Sequence, residues 1–360
     1  MPATTRRLST AVAGPLLIVA ACSGSFGTPS VAGPSAATDP STGASPSAAP
    51  SATQDPSVAP SISASPSVTG LRTTSIRLDG EGPIDIALDG RTAWVIATDS
   101  GDLLAIDLDG GPARSFDVGP AGSHVILGGP DEVLVAKFDA GGGNPVVTVK
   151  PSTGAIGGVA TGPLAGFDLA SDGRVWALGT AGEIVLVDAG HDQVVGRSSI
   201  AVHPNEHLDA VTAGDAFWAS SDTTGVRRLE AKGATTPRVT AEIETGGGIP
   251  LAVARGLVWG ARPDELWGID PKTNAVTVHV PLRGLDEILD LDVDEAGKHA
   301  WIAARKPGRV GVVVGVEIPS GRVLGEVPVS LPAGIAIGSD RVWATNYDGD
   351  ELIGIVPPSA

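Results

Sequence analysis

The sequence predicts an all-β fold: a seven-bladed β-propeller of four-stranded antiparallel blades, its ring closed by the N-terminal strand pairing with the last blade. Three observations carry this prediction. Tryptophan recurs at Trp94, Trp176, Trp218, Trp259, Trp301 and Trp343, in steps of 82, 42, 41, 42 and 42 residues, and Leu134 fills the vacant slot in the double step. Around each of these positions the chain repeats one phrase, clearest from Phe167 to Asp188: an alternating run, an Asp172-Gly173 turn, a run bearing Trp176, a short loop and a third run. A fixed period of about 40 residues holding several short strands is the mark of a propeller blade. Finally, 49 Gly and 29 Pro among 360 residues, with 4% aromatics, suit many tight turns and small valine-rich strands.

Taken in order, the chain begins with an export signal over residues 1–21. Arg6-Arg7 form a short basic region, and Leu8 to Ala21 form an apolar stretch too short for an ordinary membrane span. Its end, Val19-Ala20-Ala21-Cys22, resembles the lipobox of bacterial lipoproteins. The resemblance implies cleavage before Cys22, a diacylglycerol on its thiol and an acyl group on the new amine. That would place the protein outside the cytoplasm, anchored by lipid to the bacterial cell membrane. Each buried CH₂ contributes about 0.8 kcal/mol, so two or three chains hold firmly. The plainer alternative is a secretory signal with an incidental Cys22. As Cys22 is the only cysteine, no disulfide can form within the mature chain.

Residues 22–70 read as a tether of Ser, Ala, Pro, Thr and Gly with scattered Asp. Such a composition buries too little apolar area to offset its ordering entropy, which predicts disorder. A coil of that length spans roughly 40 Å root-mean-square, more where proline extends it.

Residues 71–360 form the propeller. With its strands labelled a to d in chain order, blade one reads as Ile84–Leu88, Ala93–Thr98, Leu103–Leu108 and Arg114–Val118. Later blades begin near His124, Phe167, Leu208, Leu251, Leu289 and Gly334. Strands c and d are joined by turns such as Pro151-Ser152-Thr153-Gly154 and Pro271-Lys272-Thr273-Asn274, where proline presets φ and Gly or Asn takes the positive-φ place. Blade seven has three strands and then stops, while Thr74-Ser75-Ile76-Arg77-Leu78 repeats the pattern of an outer strand. Pairing the two removes exposed edges. The repeated tryptophans read as packing between adjacent blades, and Trp267 as packing from a strand c.

Formal charge is −17, from 24 Lys and Arg against 41 Asp and Glu. That balance argues against a nucleic-acid partner, which needs a basic face. The expectation is a monomer with the membrane reached only through the lipid.

Gly173-Arg174-Val175-Trp176-Ala177 and Leu266-Trp267-Gly268-Ile269-Asp270-Pro271-Lys272-Thr273 are similar to the repeats of the YncE/YVTN-type bacterial propellers and of the virginiamycin B (streptogramin) lyase-like propellers. The likeness covers roughly residues 74–356 and lies in the scaffold. In the lyases it implies a magnesium ion and a histidine general base near the central top face. Their aromatic-Thr-Glu run after the tryptophan is absent here, where Val95-Ile96-Ala97 or Ala177-Leu178-Gly179 follows, so no lyase residue carries over. Fold alone does not fix function.

Strand order puts the d-to-a and b-to-c connections on one face, the top, around the channel mouth, where ligand sites are expected. The candidate ligand-binding residues there are His124, Asp168, His203, Glu206, His207, Asp209, Arg262, Asp286, Arg305, Lys306, Asn346 and Tyr347. His203-Pro204-Asn205-Glu206-His207 spells H-x-x-E-H, but that zinc motif needs a helix to set its histidines one turn apart, and this stretch holds proline between strands. A looser divalent-metal site of His203, Glu206 and His207, with His124 or Asp209, remains, against solvated side chains on a polar connection. Arg262, Arg305 and Lys306 occupy equivalent loops and suit an oxyanion; alternatively they neutralise Asp264, Asp286 and Glu287. Asp-Gly steps invite a calcium reading, but turns need those residues anyway. The resulting expectation is a binding module for a small molecule, glycan or protein at the top-face rim, without a cofactor. The alternative is a metal-assisted lyase or lactonase in the central funnel.

Overall fold

A computed structural model describes residues 62–65, 71–138, 145–188, 193–203, 206–231 and 236–358. Residues 1–21, read as a signal, and most of residues 22–70, Cys22 included, lie outside the described residues. The described chain forms seven antiparallel sheets, six of four strands and one of five. Blade one is Pro83–Asp89, Thr92–Ala97, Asp102–Asp107 and Arg114–Asp117, within two residues of the boundaries read from sequence. The innermost strands of the remaining blades are Gly122–Gly129, Leu164–Leu169, Leu208–Ala213, Leu251–Ala254, Glu287–Val293 and Pro332–Ile337. Each touches the inner strand of the blade before and after it, so the ring is closed.

Closure occurs at blade seven. Arg72–Arg77 pairs antiparallel with Glu351–Val356, in register from Arg72↔Val356 to Arg77↔Glu351. Outside it, Ile62–Ser65 from the end of the tether adds a fifth strand, with Ile62 opposite Ile76 and Ser65 opposite Thr73. Composition placed these four residues in a disordered segment. Their pairing is backbone-driven: the closing strand is itself an edge with unpaired N–H and C=O groups, and such an edge accepts any extended neighbour.

Packing explains why the blade repeats. The inner three strands of a blade bury nearly every residue, as in Val175–Gly179, whereas outer strands such as Ala275–Pro281 alternate exposed and half-buried positions. Seven apolar clusters occupy the seven seams, and each but one is built on a repeated tryptophan: Trp94, Trp176, Trp218, Trp259, Trp301 and Trp343 reach the following blade, and Leu134 does so between blades two and three. Trp176 stacks on Phe217 of blade four with centroids 5.2 Å apart. Trp267 is 1% exposed and fills the seam of blades four and five alongside Trp218. Truncating such a side chain costs about 3–5 kcal/mol.

The turns between strands c and d do further work. Gly154, Asn274 and Gly321 take positive φ, as turn chemistry demands. Arg228, lying over the Trp218 ring at 5.5 Å, donates to the Pro271 carbonyl (2.8 Å) and to Asn274 Oδ1 (2.9 Å) of the next blade. Arg114 makes the same reach to the Pro151 carbonyl at 3.1 Å.

Candidate functional site

Two of the aspartates read from sequence as rim ligands turn out to be joints of the ring. Asp209 is 1% exposed; its Oδ1 accepts the Ala210 N–H at 2.6 Å and its Oδ2 accepts the Leu251 N–H of the next blade at 2.6 Å. Asp168, 3% exposed, accepts the Leu169 N–H on one oxygen, and the Thr212 N–H and hydroxyl of blade four on the other, all at 2.7 Å. Asp85, Asp290 and Asp292 repeat the arrangement, each bonding its own strand and the Val125, Ile335 or Ile337 N–H of the next. A buried carboxylate is tolerated because backbone N–H donors surround it, and these charge-assisted bonds are the strong ones. Blade seven has Gly334 where blade one has Asp85. A Cβ there would stand 2.8 Å from Asp85 Cα, so glycine lets the last inner strand close directly on the first.

His124 takes the aspartate's place in blade two. It is 1% exposed, and its Nε2–H donates to the Ala165 carbonyl of blade three at 2.9 Å. Its Nδ1 lies 4.0 Å from Asp85 Oδ2 of blade one. Burial pushes the imidazole pKa down, against the opposing pull of the Asp85 charge and the Ala165 carbonyl. The folded state thus holds a neutral ring, while the unfolded chain protonates it near pH 6.5. Stability from this group is complete above about pH 6.5 and is lost as pH falls toward the folded-state value. Urea midpoints measured from pH 7.5 to 5 are expected to fall more steeply for the wild type than for His124→Gln. Equal slopes would contradict this.

The rim proper is cross-braced. His203 is exposed, and its backbone N–H donates to Glu206 Oε2 at 2.7 Å. Glu206 Oε1 accepts the hydroxyl of Ser221 (2.7 Å) and that of Thr223, which holds the loop entering blade four to the b-to-c turn of the same blade. These bonds and the His203 N–H lower the Glu206 pKa despite the opposing and largest effect, desolvation. His207 faces Asp222 instead, Nδ1 to Oδ2 at 2.9 Å. His203 and Glu206 are joined through the His203 backbone while His207 pairs with Asp222, and among the described residues no three His, Cys, Asp or Glu side chains converge as a metal site.

The three cations are engaged locally. Arg262 bonds Asp264 (2.8 Å), Glu265 (2.9 Å) and the Thr245 carbonyl (2.7 Å); Arg305 bonds Glu287 and Lys306 bonds Glu326, each at 2.6 Å. Asp286 is exposed, and its backbone N–H donates to the Arg305 carbonyl at 2.7 Å. Asn346 is buried, its Oδ1 accepting from Ser330 at 2.8 Å, whereas Tyr347 is half-buried and donates from its hydroxyl to Asp99 Oδ2 across the seam at 2.8 Å. Burial, reinforced by Asp99, pushes the Tyr347 pKa up to about 12.

Neither of two small clefts opens on this rim. One, of about 260 Å³, is bounded by Arg91, Asp107 and Arg114 of blade one; the other, of about 250 Å³, lies between Ser171, Arg174 and Asp215 at the seam of blades three and four. Both sit at the a-to-b and c-to-d turns, on the opposite face.

No family model matches the chain, and no curated protein matches it in sequence. Among solved structures, the WD40 domain of Neurospora crassa Pan2 superimposes with a TM-score of 0.60 at 11% identity, covering 78% of this chain and 90% of that one. The computationally designed Ika8 protein superimposes with a TM-score of 0.54 at 13% identity, covering 78% and 98%. The chain is a seven-bladed β-propeller. At such identities the likeness extends to the fold alone, and the site has to be argued from this propeller's own residues.

Sequence reasoning missed the joint residues Asp290 and Asp292, although a signal was present. Asp85, Asp209 and Asp292 each stand nine residues before a repeated tryptophan. A polar residue recurring at a fixed offset from a packing residue belongs to the scaffold before it belongs to a ligand.

Proposed function

We propose that this propeller is the display domain of an exported lipoprotein, lipidated at Cys22, lifted from the membrane by residues 22–70 and binding a partner through its top face. The observation supporting a binding module is the bracing of that face: Tyr347 to Asp99, Glu206 to Ser221 and Thr223, and Arg262 to Thr245 all tie one loop to another. A surface ordered before contact loses less entropy on association. In fold and repeat phrasing this reading sits with the YncE/YVTN-type and virginiamycin B lyase-like propellers. The lyase chemistry of the latter has no gathered donor set to support it among the described residues.

Two measurements test the reading. Cys22→Ala is expected to abolish incorporation of labelled palmitate and to move the protein from the membrane pellet to the soluble fraction. Continued membrane retention would contradict the anchor. For the rim, binding to isolated envelope polysaccharides and envelope proteins should fall in Tyr347→Ala and His207→Ala, and persist in Asp172→Ala on the opposite face. The reverse pattern would place the binding surface at the other end of the ring.

A further inference from the structure

Among the described residues of the top face, one cation is both buried and without a carboxylate partner. Lys137 ends strand b of blade two and is only 7% exposed. Lysine is almost never so buried unless paired. Arg262, Arg305 and Lys306 each have a carboxylate within 3 Å, whereas the Lys137 ammonium has no hydrogen bond or ion pair among the described residues. Asp117 acts on it only at longer range, and that carboxylate already accepts the Gly119 N–H at 3.0 Å.

The surroundings are built to hold the group there. The connection from blade one to blade two is pinned by Val118 N–H to the Gly101 carbonyl (3.0 Å), Ala121 N–H to the Thr98 carbonyl (3.3 Å) and Phe138 N–H to the Ala121 carbonyl (3.1 Å). Gly119 lies directly over the ammonium: a Cβ at this residue would stand 3.0 Å from Nζ, and its φ of +74° favours glycine independently. An amine held under a fixed loop without a close counter-charge is disfavoured in its charged form unless something supplies one.

We infer that Lys137 anchors an anionic oxygen group, a carboxylate or a phosphate, brought to the top face at the seam of blades one and two. This rests on the reading that the top face binds, and it names the chemistry that one corner of it recognises. Consistently, burial lowers the pKa of the free amine, with Asp117 opposing the effect. An arriving anion would restore the charged form.

The test uses the mature full-length chain, with inorganic phosphate and acetate as separate probes against chloride at matched ionic strength. One of the two is expected to raise the wild-type melting temperature, and which one identifies the group. Lys137→Met is expected to melt higher than wild type without any probe, because no charge is left buried, and to bind the effective anion at least about tenfold more weakly. In parallel, the aldehyde of pyridoxal trapped by borohydride should mark Lys137 in peptide mapping, and the effective anion should block that mark. A lower melting temperature in Lys137→Met with an unchanged anion response would overturn the inference and make the lysine structural. So would labelling of Lys137 that neither anion protects. If a top-face partner were lost in Tyr347→Ala but kept in Lys137→Met, only the Lys137 assignment would fail. A partner indifferent to all rim variants would end the wider reading.

Discussion

Deleting residues 71–78 is expected to abolish cooperative folding of the propeller, while deleting 22–61 leaves its melting temperature unchanged. The closing strand touches two seams at once. Ile76 (1% exposed) and Leu78 (6%) lie in the cluster between blades seven and one, with Trp343, Ile86 and Val95. Leu71 (6%) lies in the cluster between blades six and seven, with Trp301 and Val313. Each such side chain contributes about 1.5–3 kcal/mol by burial. Three together reach the range of a whole domain's stability, about 5–15 kcal/mol. The deletion also strips the partner from Glu351–Val356 and the Asp350 carbonyl from its bond with Leu78 N–H at 2.8 Å. An exposed inner edge of that length invites aggregation. Removing 22–65 is the intermediate case, since it takes away only the four-residue outer strand, and a small shift is expected. Thermal unfolding followed by circular dichroism, with light scattering, separates the three truncations. A sharp, wild-type-like transition without residues 71–78 would show that the ring does not depend on its N-terminal latch.

Asp168→Ala is the second large effect, expected to destabilise the domain by about 2–5 kcal/mol, the scale of removing a buried charged partner and leaving its donors unsatisfied. The Leu169 N–H and the Thr212 N–H lose their acceptor, and so does one of the two bonds of the Thr212 hydroxyl, which keeps the Leu169 carbonyl at 2.9 Å. Asp168→Asn should recover little, because an amide NH₂ on the Thr212 side would meet another donor. Asp286→Ala, on the exposed entry to blade six, should change stability by less than about 0.5 kcal/mol, as for most surface positions. Urea titration of the three variants decides. If Asp168→Ala kept wild-type stability and instead lost a ligand, the site reading of this residue would be restored and the joint reading abandoned.

These two expectations mark where sequence reasoning succeeded and where it stopped. The closing strand was legible because Thr74 to Leu78 repeats an outer-strand pattern and blade seven lacks one. The packing role of Trp94, Trp176 and their equivalents was legible because a large apolar residue at a fixed period has one economical place to go. The settings of Asp168, Asp209 and His124 were not legible for a common reason. Sequence puts them at the mouth of the ring, but whether a carboxylate faces solvent or a neighbouring strand depends on the separation of two inner strands about 40 residues apart. Glu206 and His207 stand one residue apart, yet they bond to different loop residues, Ser221 with Thr223 and Asp222 respectively. No spacing rule distinguishes that from a shared ligand.

The amino-acid sequence by itself determined the number of blades, the period, the tryptophan seams and the latch, because strand alternation and turn chemistry are local and the repeat multiplies their signal. Only the tertiary structure decided which polar groups are joints, which are braces, and that Lys137 is a sheltered cation without an ion-pair partner among the described residues. Those outcomes depend on distances between blades, and the desolvation of a charge is set by everything that surrounds it in space, most of which is remote along the chain.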